Sequence, residues 1–151
     1  MMEVKFARNE SVAEVITRLL RGASGSIDAA MYRVNHPRLV EVLDEAVGRG
    51  LRVRLLVDGN KYEESRATQE LLARARIPFH LAYGRRGLGT KMHHKFVILD
   101  RQTVLTGSYN WTLESESENH ENLLVLQEEQ PVAAYAREFE SLWNGTAGDD
   151  A

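Results

Sequence analysis

The chain has 151 residues, 43% hydrophobic and 27% charged, which suits one domain that buries roughly two thirds of its unfolded surface. It contains no cysteine, which excludes disulfides, thiolate metal sites and cysteine nucleophiles. Its net charge of -3 is not that of a general nucleic-acid binder, and no apolar run approaches the ~20 residues needed to cross a bilayer, so we expect no membrane insertion.

The first part of the chain alternates strand and helix patterns. Asn9 or Ser11 can cap a helix through Leu20, whose apolar residues recur on one face. Pro37 suits a first helical position, and the amphipathic helix that follows ends at Gly48 or Gly50. We predict strands at 3–7, 26–34 and 51–58, helices at 11–20 and 37–48, and a turn at 58–60.

The second part begins with one more helix and is then mostly strand. We predict a helix from Glu63 to Arg76, ended by Pro78. Strands at 92–100 and 103–108 are so close in sequence that they must form a hairpin. The interleaved pattern predicts an α/β fold, with a mixed β-sheet flanked by helices on both faces. The remaining predicted elements are a strand at 79–83, a Gly-rich loop at 84–91, a strand at 122–127 and a helix at 131–143.

Charge is distributed unevenly along the chain. From Leu71 to Leu99 there is no acid but six bases, whereas the segment from Glu114 onward has ten acids and one base. We predict that three of these bases, Arg85, Arg86 and Lys91, bind an anionic partner such as a phosphate backbone. The alternative is that they are solvated surface charges, which is the usual role of a charge run.

The stretch "KMHHKFVILD" places titratable groups at the start of a strand. Residues two apart in a strand face the same way, so His93 and Lys95 project together and His94 projects oppositely. An imidazole beside an ammonium is a poor core pair but a sensible anion site. Lysine supplies fixed charge, and histidine can attack or shuttle a proton near neutral pH.

The predicted hairpin brings the stretch "GSYN" back alongside this pair. Gly107 permits a close backbone approach, Ser108 offers a hydroxyl and Asn110 offers an amide donor. Together with Lys95, these groups could hold the oxygens of a phosphoryl group. The hairpin therefore predicts a phosphoryl-transfer site.

This spacing resembles the signature of the phospholipase D superfamily, which is His-x-Lys, four residues, Asp, six residues and Gly-Ser-x-Asn. It falls here on His93, Lys95, Asp100, Gly107, Ser108 and Asn110. The stretch from "SIDAAMYRV" to "VRLLVD" resembles the upstream half of the family. The stretches "GSYNWT", "NHENLLVL" and "FESLW" are similar to the downstream half of its small, single-motif bacterial Nuc-type endonucleases.

The resemblance implies a mechanism. Family members use two such signatures, so a chain with one signature is expected to be a homodimer. One His93 would attack phosphorus to form a phosphohistidine, and the other would protonate the leaving oxygen and then activate water. Lys95 and Asn110 would bind phosphoryl oxygens with help from Ser108, and Glu121 would hold a ring nitrogen of His93. Asp100 is expected to be structural, closing the hairpin, and no metal or other cofactor is expected.

Other histidines and aromatic residues fit packing or surface roles better than catalysis. We expect this of His36, His80, His94 and His120. Trp111 and Trp143 fit core or interface positions, and alternation turns Tyr109 away from Ser108 and Asn110. Tyr32 is assigned no role.

Three functions remain open. We favour a metal-independent phosphodiesterase or endonuclease that acts on DNA, with RNA as a further substrate. The same chemistry would serve a cardiolipin or phosphatidyl hydrolase, although "GRRGLGTK" offers a membrane only one leucine. The third is a non-catalytic dimerisation or nucleic-acid-binding module. The start "MMEVKFARNE" lacks an apolar signal region, so we expect a cytoplasmic protein, or a secreted or periplasmic one if a leader was removed.

Overall fold

The computed structural model describes residues 1–146 of the chain. Its strands are β1 (Met2–Phe6), β2 (Ser26–Met31), β3 (Arg52–Asp58), β4 (Phe79–Ala82), β5 (Lys95–Leu99), β6 (Thr103–Gly107) and β7 (Asn122–Leu126). Its helices are α1 (Val12–Gly22), α2 (Pro37–Gly48), α3 (Gly59–Glu64), α4 (Arg66–Ala73), α5 (Leu113–Ser117) and α6 (Glu129–Gly145). None of these helices combines the length and apolarity needed to cross a bilayer.

The strands form one mixed sheet in the order β1-β7-β6-β5-β2-β3-β4. The pairs β2–β3 and β3–β4 are parallel, as expected for strands joined by helical crossovers. The other four pairs are antiparallel, and β5 lies directly beside β2 in the middle of the sheet. The predicted mixed sheet is therefore confirmed.

Helices cover both faces of this sheet, as predicted. On one face, Ile16 of α1 and Leu39 of α2 pack with strand residues such as Leu55 and Val97 in one apolar cluster. On the opposite face, Phe139 of α6 packs with Phe96 and other strand residues in a second cluster. Successive side chains of a strand point to opposite faces of the sheet. Because the central strands carry apolar residues on both faces, the core is divided into these two layers.

A buried ion pair fastens α6 to the sheet. Asp28 and Arg54 are paired in register on β2 and β3, and the Arg54 guanidinium donates to both carboxylate oxygens of Asp28 at 2.8 and 3.0 Å. Arg54 also donates to Glu140 of α6 at 2.5 Å and lies over the rings of Phe139 and Trp143. Bidentate guanidinium–carboxylate contacts constrain geometry as well as charge. Through Asp28 and Glu140, Arg54 therefore sets where α6 lies on the sheet.

The structure corrects two sequence predictions between β3 and β4. The predicted turn at 58–60 is instead the start of α3, because the Asp58 side chain accepts from Lys61 N at 2.9 Å and caps that helix. The predicted helix from Glu63 to Arg76 is broken at Ser65, whose hydroxyl accepts from Thr68 N and caps α4. The Asp58 cap thus turns the predicted turn into a helix, and the Ser65 cap divides the predicted helix between α3 and α4.

Strand boundaries also differ from prediction beside the candidate site. The strand predicted at 26–34 ends at Met31, and the strand predicted at 92–100 begins only at Lys95. Backbone pairing continues past these ends in single bonds, such as Tyr32 N to His94 O at 3.0 Å. His93 and His94 therefore lie just ahead of β5 and not within it.

The turn between β5 and β6 is anchored by Asp100. Asp100 and Arg101 both have positive φ, at 54° and 57°, the backbone twist that favours tight hairpins. The Asp100 carboxylate accepts hydrogen bonds from the backbone N–H groups of Ser24, Gly25 and Ser26 at 2.6–3.1 Å. Burial opposes ionisation, but these N–H donors outweigh it and lower the pKa of Asp100. The hairpin tip is thereby held to the loop before β2.

We predict that Asp100→Asn destabilises the protein by about 1–3 kcal/mol at pH 7, because an amide keeps the shape and tolerates positive φ but loses the charge-assisted bonds. The folded-state pKa is depressed, so the stabilisation is present above the unfolded pKa and is lost as pH falls through the folded pKa. The difference from wild type should therefore shrink below about pH 4. Urea unfolding at pH 7 and pH 3 measures this, and a difference that is unchanged by pH would contradict it.

Candidate active site

The predicted site residues converge at one edge of the sheet. Antiparallel pairing puts the start of β5 beside the end of β2, with Lys95 opposite Met31. It also puts the end of β6 and the start of β7 at the same edge, with Gly107 opposite Leu123. This edge is where the parallel strands β2 and β3 end, the usual location for ligand sites in open α/β sheets.

His93 and Lys95 lie side by side at this edge, as their spacing predicted. Lys95 Nζ is 3.2 Å from Nδ1 and 3.4 Å from Nε2 of His93, and it donates to the His93 backbone oxygen at 2.8 Å. His93 is exposed and Lys95 is half-buried. The pair therefore offers a cation and a nucleophilic nitrogen to the same region of solvent.

Tyr32 supports this pair, a role that the sequence alone did not indicate. Its ring centroid lies 4.5 Å from that of His93, with the two planes tilted by 57°. Lys95 Nζ lies 5.3 Å from the same centroid. Tyr32 is buried, so it acts as a fixed wall behind the imidazole and a favourable surface for the ammonium.

Ser108 connects the motif to β7. Its hydroxyl donates to Glu121 Oε1 at 2.5 Å and accepts from Asn122 N at 3.1 Å. Glu121 Oε2 also accepts from Asn119 at 3.1 Å. Within residues 1–146, the Glu121 carboxylate thus accepts hydrogen bonds from Ser108 and Asn119, and its predicted contact with the His93 ring stays a prediction. The predicted contact of Ser108 with a phosphoryl oxygen also stays a prediction, because its proton is directed at Glu121.

Gly107 is required here by its own backbone. Its φ of 148° is disfavoured for residues with a side chain. A Cβ at this position would also lie 2.3 Å from the backbone oxygen of Asn122. The backbone that approaches Gly107 closely is therefore that of Asn122 in β7. This close approach places Glu121 and Asn122 beside Ser108.

Asn110 is oriented from the opposite side. Its Oδ1 accepts from the backbone N–H of Arg33 at 3.2 Å, just after β2. The other end of the amide, Nδ2, is a donor suited to a phosphoryl oxygen. Tyr109 turns away, as predicted, and its hydroxyl donates to Glu116 at 2.8 Å. Glu116 also accepts from Ser11 Oγ, which ties this segment to the start of α1.

The electrostatics of the edge favour neutral imidazole. The His93 ring is partly desolvated although the residue is exposed, and this lowers its pKa, as do the positive charges of Lys95 and Lys91. Burial also lowers the pKa of Lys95, with Glu121 opposing this shift and Lys91 adding to it. A neutral imidazole has a lone pair available, which is the form needed for attack on phosphorus.

The three predicted substrate-binding bases are placed differently from one another. Arg85 and Lys91 line a groove that also contains His93 and Leu142 of α6. Arg86 is exposed at the turn of the Gly-rich loop, where its N–H donates to Thr90 Oγ1. The structure therefore brings Arg85 and Lys91 to the site edge and leaves Arg86 at the loop surface.

Two of the other histidines, His94 and His80, have local side-chain partners, in agreement with the packing or surface roles expected of them. His94 projects towards α6, where Nε2 lies 2.9 Å from Glu138. His80 stacks on Trp143 with ring centroids 3.6 Å apart. Within residues 1–146, no group of three or more His, Cys, Asp or Glu residues is placed to hold a metal ion. The expected metal-free mechanism stays a prediction.

A sheet with this strand order, carrying His-x-Lys and Gly-Ser-x-Asn side by side at one edge, defines a phospholipase D-like domain. Residues 16–143 match the family described as "Cardiolipin synthase, PLD-like domain", so the chain belongs to this family. This confirms the superfamily indicated by the motif.

Known proteins resemble the chain along most of its length. The dog protein named mitochondrial cardiolipin hydrolase is 32% identical over 138 residues, covering 89% of this chain and 51% of that protein. The chain thus spans about half the length of the curated relatives that it matches. Nuc from Salmonella typhimurium, a phospholipase D family member, superposes with a TM-score of 0.85 at 24% identity, covering 95% of this chain and 94% of Nuc. NucT from Helicobacter pylori gives a TM-score of 0.83 at 17% identity, with coverages of 95% and 97%.

We predict that the pKa of His93 lies below 6.5 and that Lys91→Gln raises it, because this exposed lysine is one of the charges that disfavour the imidazolium. The histidine ring signals in a ¹H–¹³C NMR titration measure this directly. Arg18→Gln removes an equal charge near Asp100, at the other end of the sheet, and serves as the matched control. An equal shift of the His93 pKa in both variants would contradict the local origin of the effect.

Proposed function

We propose that the chain is a phosphodiesterase that hydrolyses nucleic acid, DNA with RNA as a further substrate, through a covalent phosphohistidine. The observation that carries this is the His93–Lys95 pair, held at the sheet edge where Arg33 fixes the Asn110 amide through its Oδ1. A nucleophile, a fixed cation and an amide donor together suit an attack on a phosphodiester.

The proposed reaction has two steps. A ring nitrogen of His93 attacks phosphorus, a P–N bond forms, and the bond to the leaving oxygen breaks as that oxygen takes a proton from His93 of the partner subunit. The partner subunit's His93, now neutral, then takes a proton from water as the water oxygen attacks phosphorus and the P–N bond breaks. Lys95 and Asn110 bind the non-bridging oxygens and offset their developing charge.

The need for both an acid and a nucleophile supports a homodimer. Each chain carries one copy of the signature, and within one chain His93 has Lys95 and Tyr32 as its neighbours. A two-fold axis beside the sheet edge would bring an identical His93 to the opposite side of the phosphorus, since a two-fold interface uses the same surface on both subunits. The active site would then be completed only by assembly.

Nucleic acid is favoured as the substrate because of the local charge around His93. Arg85 and Lys91 line the groove that contains His93, although the whole chain has a net charge of -3. Binding would therefore depend on local contacts with phosphates and would weaken steeply with salt. The Nuc-type resemblance of the downstream motifs supports the same substrate class.

A lipid phosphodiester is the second candidate. Relatives 31–34% identical to this chain are named mitochondrial cardiolipin hydrolase. In addition, Leu88 is 80% exposed in the loop that carries Arg85 and Arg86. An apolar side chain beside two cations is an arrangement that can rest on an anionic membrane surface.

We predict that wild-type protein cleaves a labelled oligonucleotide in EDTA and that His93→Ala does not. Wild type and His93→Ala, mixed in equal amounts and refolded together, should give about one quarter of the activity of the same total amount of wild type, because only dimers with two wild-type chains are complete. Activity near one half would contradict a shared site. His120→Ala, an exposed histidine outside the motif, should leave activity unchanged when mixed in the same way.

We also predict that single-stranded DNA, duplex DNA or RNA is hydrolysed faster than cardiolipin in vesicles when all four are compared in EDTA. Raising the salt concentration should slow nucleic-acid cleavage, and Leu88→Ser should not change it, because this leucine would contact only a membrane. Faster turnover of vesicles, together with its loss in Leu88→Ser, would support the lipid candidate. A strict requirement for added magnesium would contradict the proposed mechanism.

A further inference from the structure

A cavity of about 350 Å³ lies on the α3–α4 side of the candidate site. Three cations, Arg33, Lys61 and Arg66, contribute to its lining. One acid, Glu64, also lines it. The rest of the wall is formed by polar, aromatic and apolar side chains, which are Asn35, Ser65, Thr68, Tyr62, Val34 and Val57. This cavity is separate from the groove lined by Arg85 and Lys91, which lies towards α6. No part of the phosphodiester signature lines it.

Tyr32 connects this cavity to the reacting groups. Lys61 Nζ lies 5.8 Å from the Tyr32 ring centroid, and the His93 ring lies 4.5 Å from the same centroid. Arg33 is the next residue in the chain, and its backbone N–H is the donor that orients Asn110. The cavity is therefore adjacent to the place where a scissile phosphate would lie.

Two of the three cations in the cavity are paired with exposed acidic side chains. Lys61 pairs with Glu64 at 3.7 Å, and the Glu64 side chain is 65% exposed. Arg33 pairs with Glu114 at 3.1 Å, and both side chains are about 40% exposed. Exposed pairs of this kind contribute little to stability, so an incoming anion can compete for these cations without a large loss to the fold.

We propose that this cavity is a second anion subsite, which binds the phosphate next to the scissile one in a polynucleotide strand. This inference rests on the proposed nuclease function and extends it. A strand crossing His93 would meet Arg85 and Lys91 on the α6 side and Arg33, Lys61 and Arg66 on the other. A substrate with several phosphodiesters would contact both groups of cations. A substrate with a single phosphodiester would contact neither group.

The Gly-rich loop and α3 are joined, which keeps the two sides in a fixed relation. Asn60 Nδ2 donates to the backbone oxygen of Thr90 at 3.0 Å. Met92 N donates to Asp58 Oδ1 at 2.9 Å, and the Asp58 carboxylate also caps α3. The helix that presents Lys61 is thus attached to the segment that presents Lys91 and His93, so the spacing between the cationic groups is set by the fold.

The test compares two substrates that differ in the number of phosphates. We expect the double variant Lys61→Gln/Arg66→Gln to raise KM for a single-stranded oligonucleotide by roughly tenfold, the effect of losing about one charge-assisted bond. Hydrolysis of bis(4-nitrophenyl) phosphate, which has one phosphodiester, should be unchanged. Glu64→Gln should lower KM for the oligonucleotide, because it removes the carboxylate that competes for Lys61.

Arg74→Gln is the matched control, because this exposed arginine follows α4 and does not line the cavity. It should affect neither substrate. Equal loss of both substrates in the double variant would overturn the subsite and leave the proposed function standing. If wild type hydrolysed neither substrate in EDTA, the proposed function itself would fail.

Binding provides a readout that does not depend on turnover. In a His93→Ala background, anisotropy of a fluorescein-labelled oligonucleotide should show weaker binding when Lys61 and Arg66 are replaced, and the slope of log affinity against log salt should fall by about one to two. An unchanged slope would overturn the proposal. Reduced binding to cardiolipin vesicles with unchanged oligonucleotide binding would also overturn it, because the second phosphate would then belong to a lipid.

Discussion

The register of the β5–β6 hairpin determines whether the candidate site exists, because each strand face serves a different purpose. Phe96 pairs with Thr106, and this alignment puts His93 and Lys95 beside the end of β6, where Ser108 follows. A slip of one residue would turn Lys95 towards α6 and Phe96 away from its apolar cluster. The observed register is therefore strongly favoured over a register shifted by one residue. The packing of the core thus determines the positions of the reacting groups.

Asp100 and Gly107 protect this register at the two ends of β6. Asp100 fixes the turn by accepting hydrogen bonds from three backbone N–H groups at the start of β2, which opposes sliding of the hairpin relative to the central strands. Gly107 lets the backbone of Asn122 approach more closely than a side chain would allow. Asp100 and Gly107, two residues of the phospholipase D signature, thus stabilise the backbone conformation. His93, Lys95 and Asn110 lie at the site edge.

Much of this arrangement could be predicted from the sequence because it is local. The interleaving of strand and helix patterns predicted the mixed sheet with helices on both faces. The spacing of His93 and Lys95 predicted a pair on one face. The bend at Ser65 was missed because a serine in the first turn of a predicted helix does not reveal whether it caps a new helix. The cluster of Arg33, Lys61 and Arg66 was missed for another reason: its members come from separate segments that meet only in the folded chain.

Two identical histidines in one proposed active site must carry different protonation states, and the local charges suggest how this arises. Desolvation of the ring, together with the charges of Lys95 and Lys91, lowers the pKa of His93 in the chain without substrate, so both imidazoles would begin in the neutral form. A bound phosphodiester brings a negative charge next to the same rings, which opposes the effect of the lysines and favours one imidazolium. Once one ring is protonated, its charge disfavours protonation of the other, because the two titrate as a coupled pair. Substrate binding would thus take up one proton and assign the roles of acid and nucleophile, although the two subunits are the same.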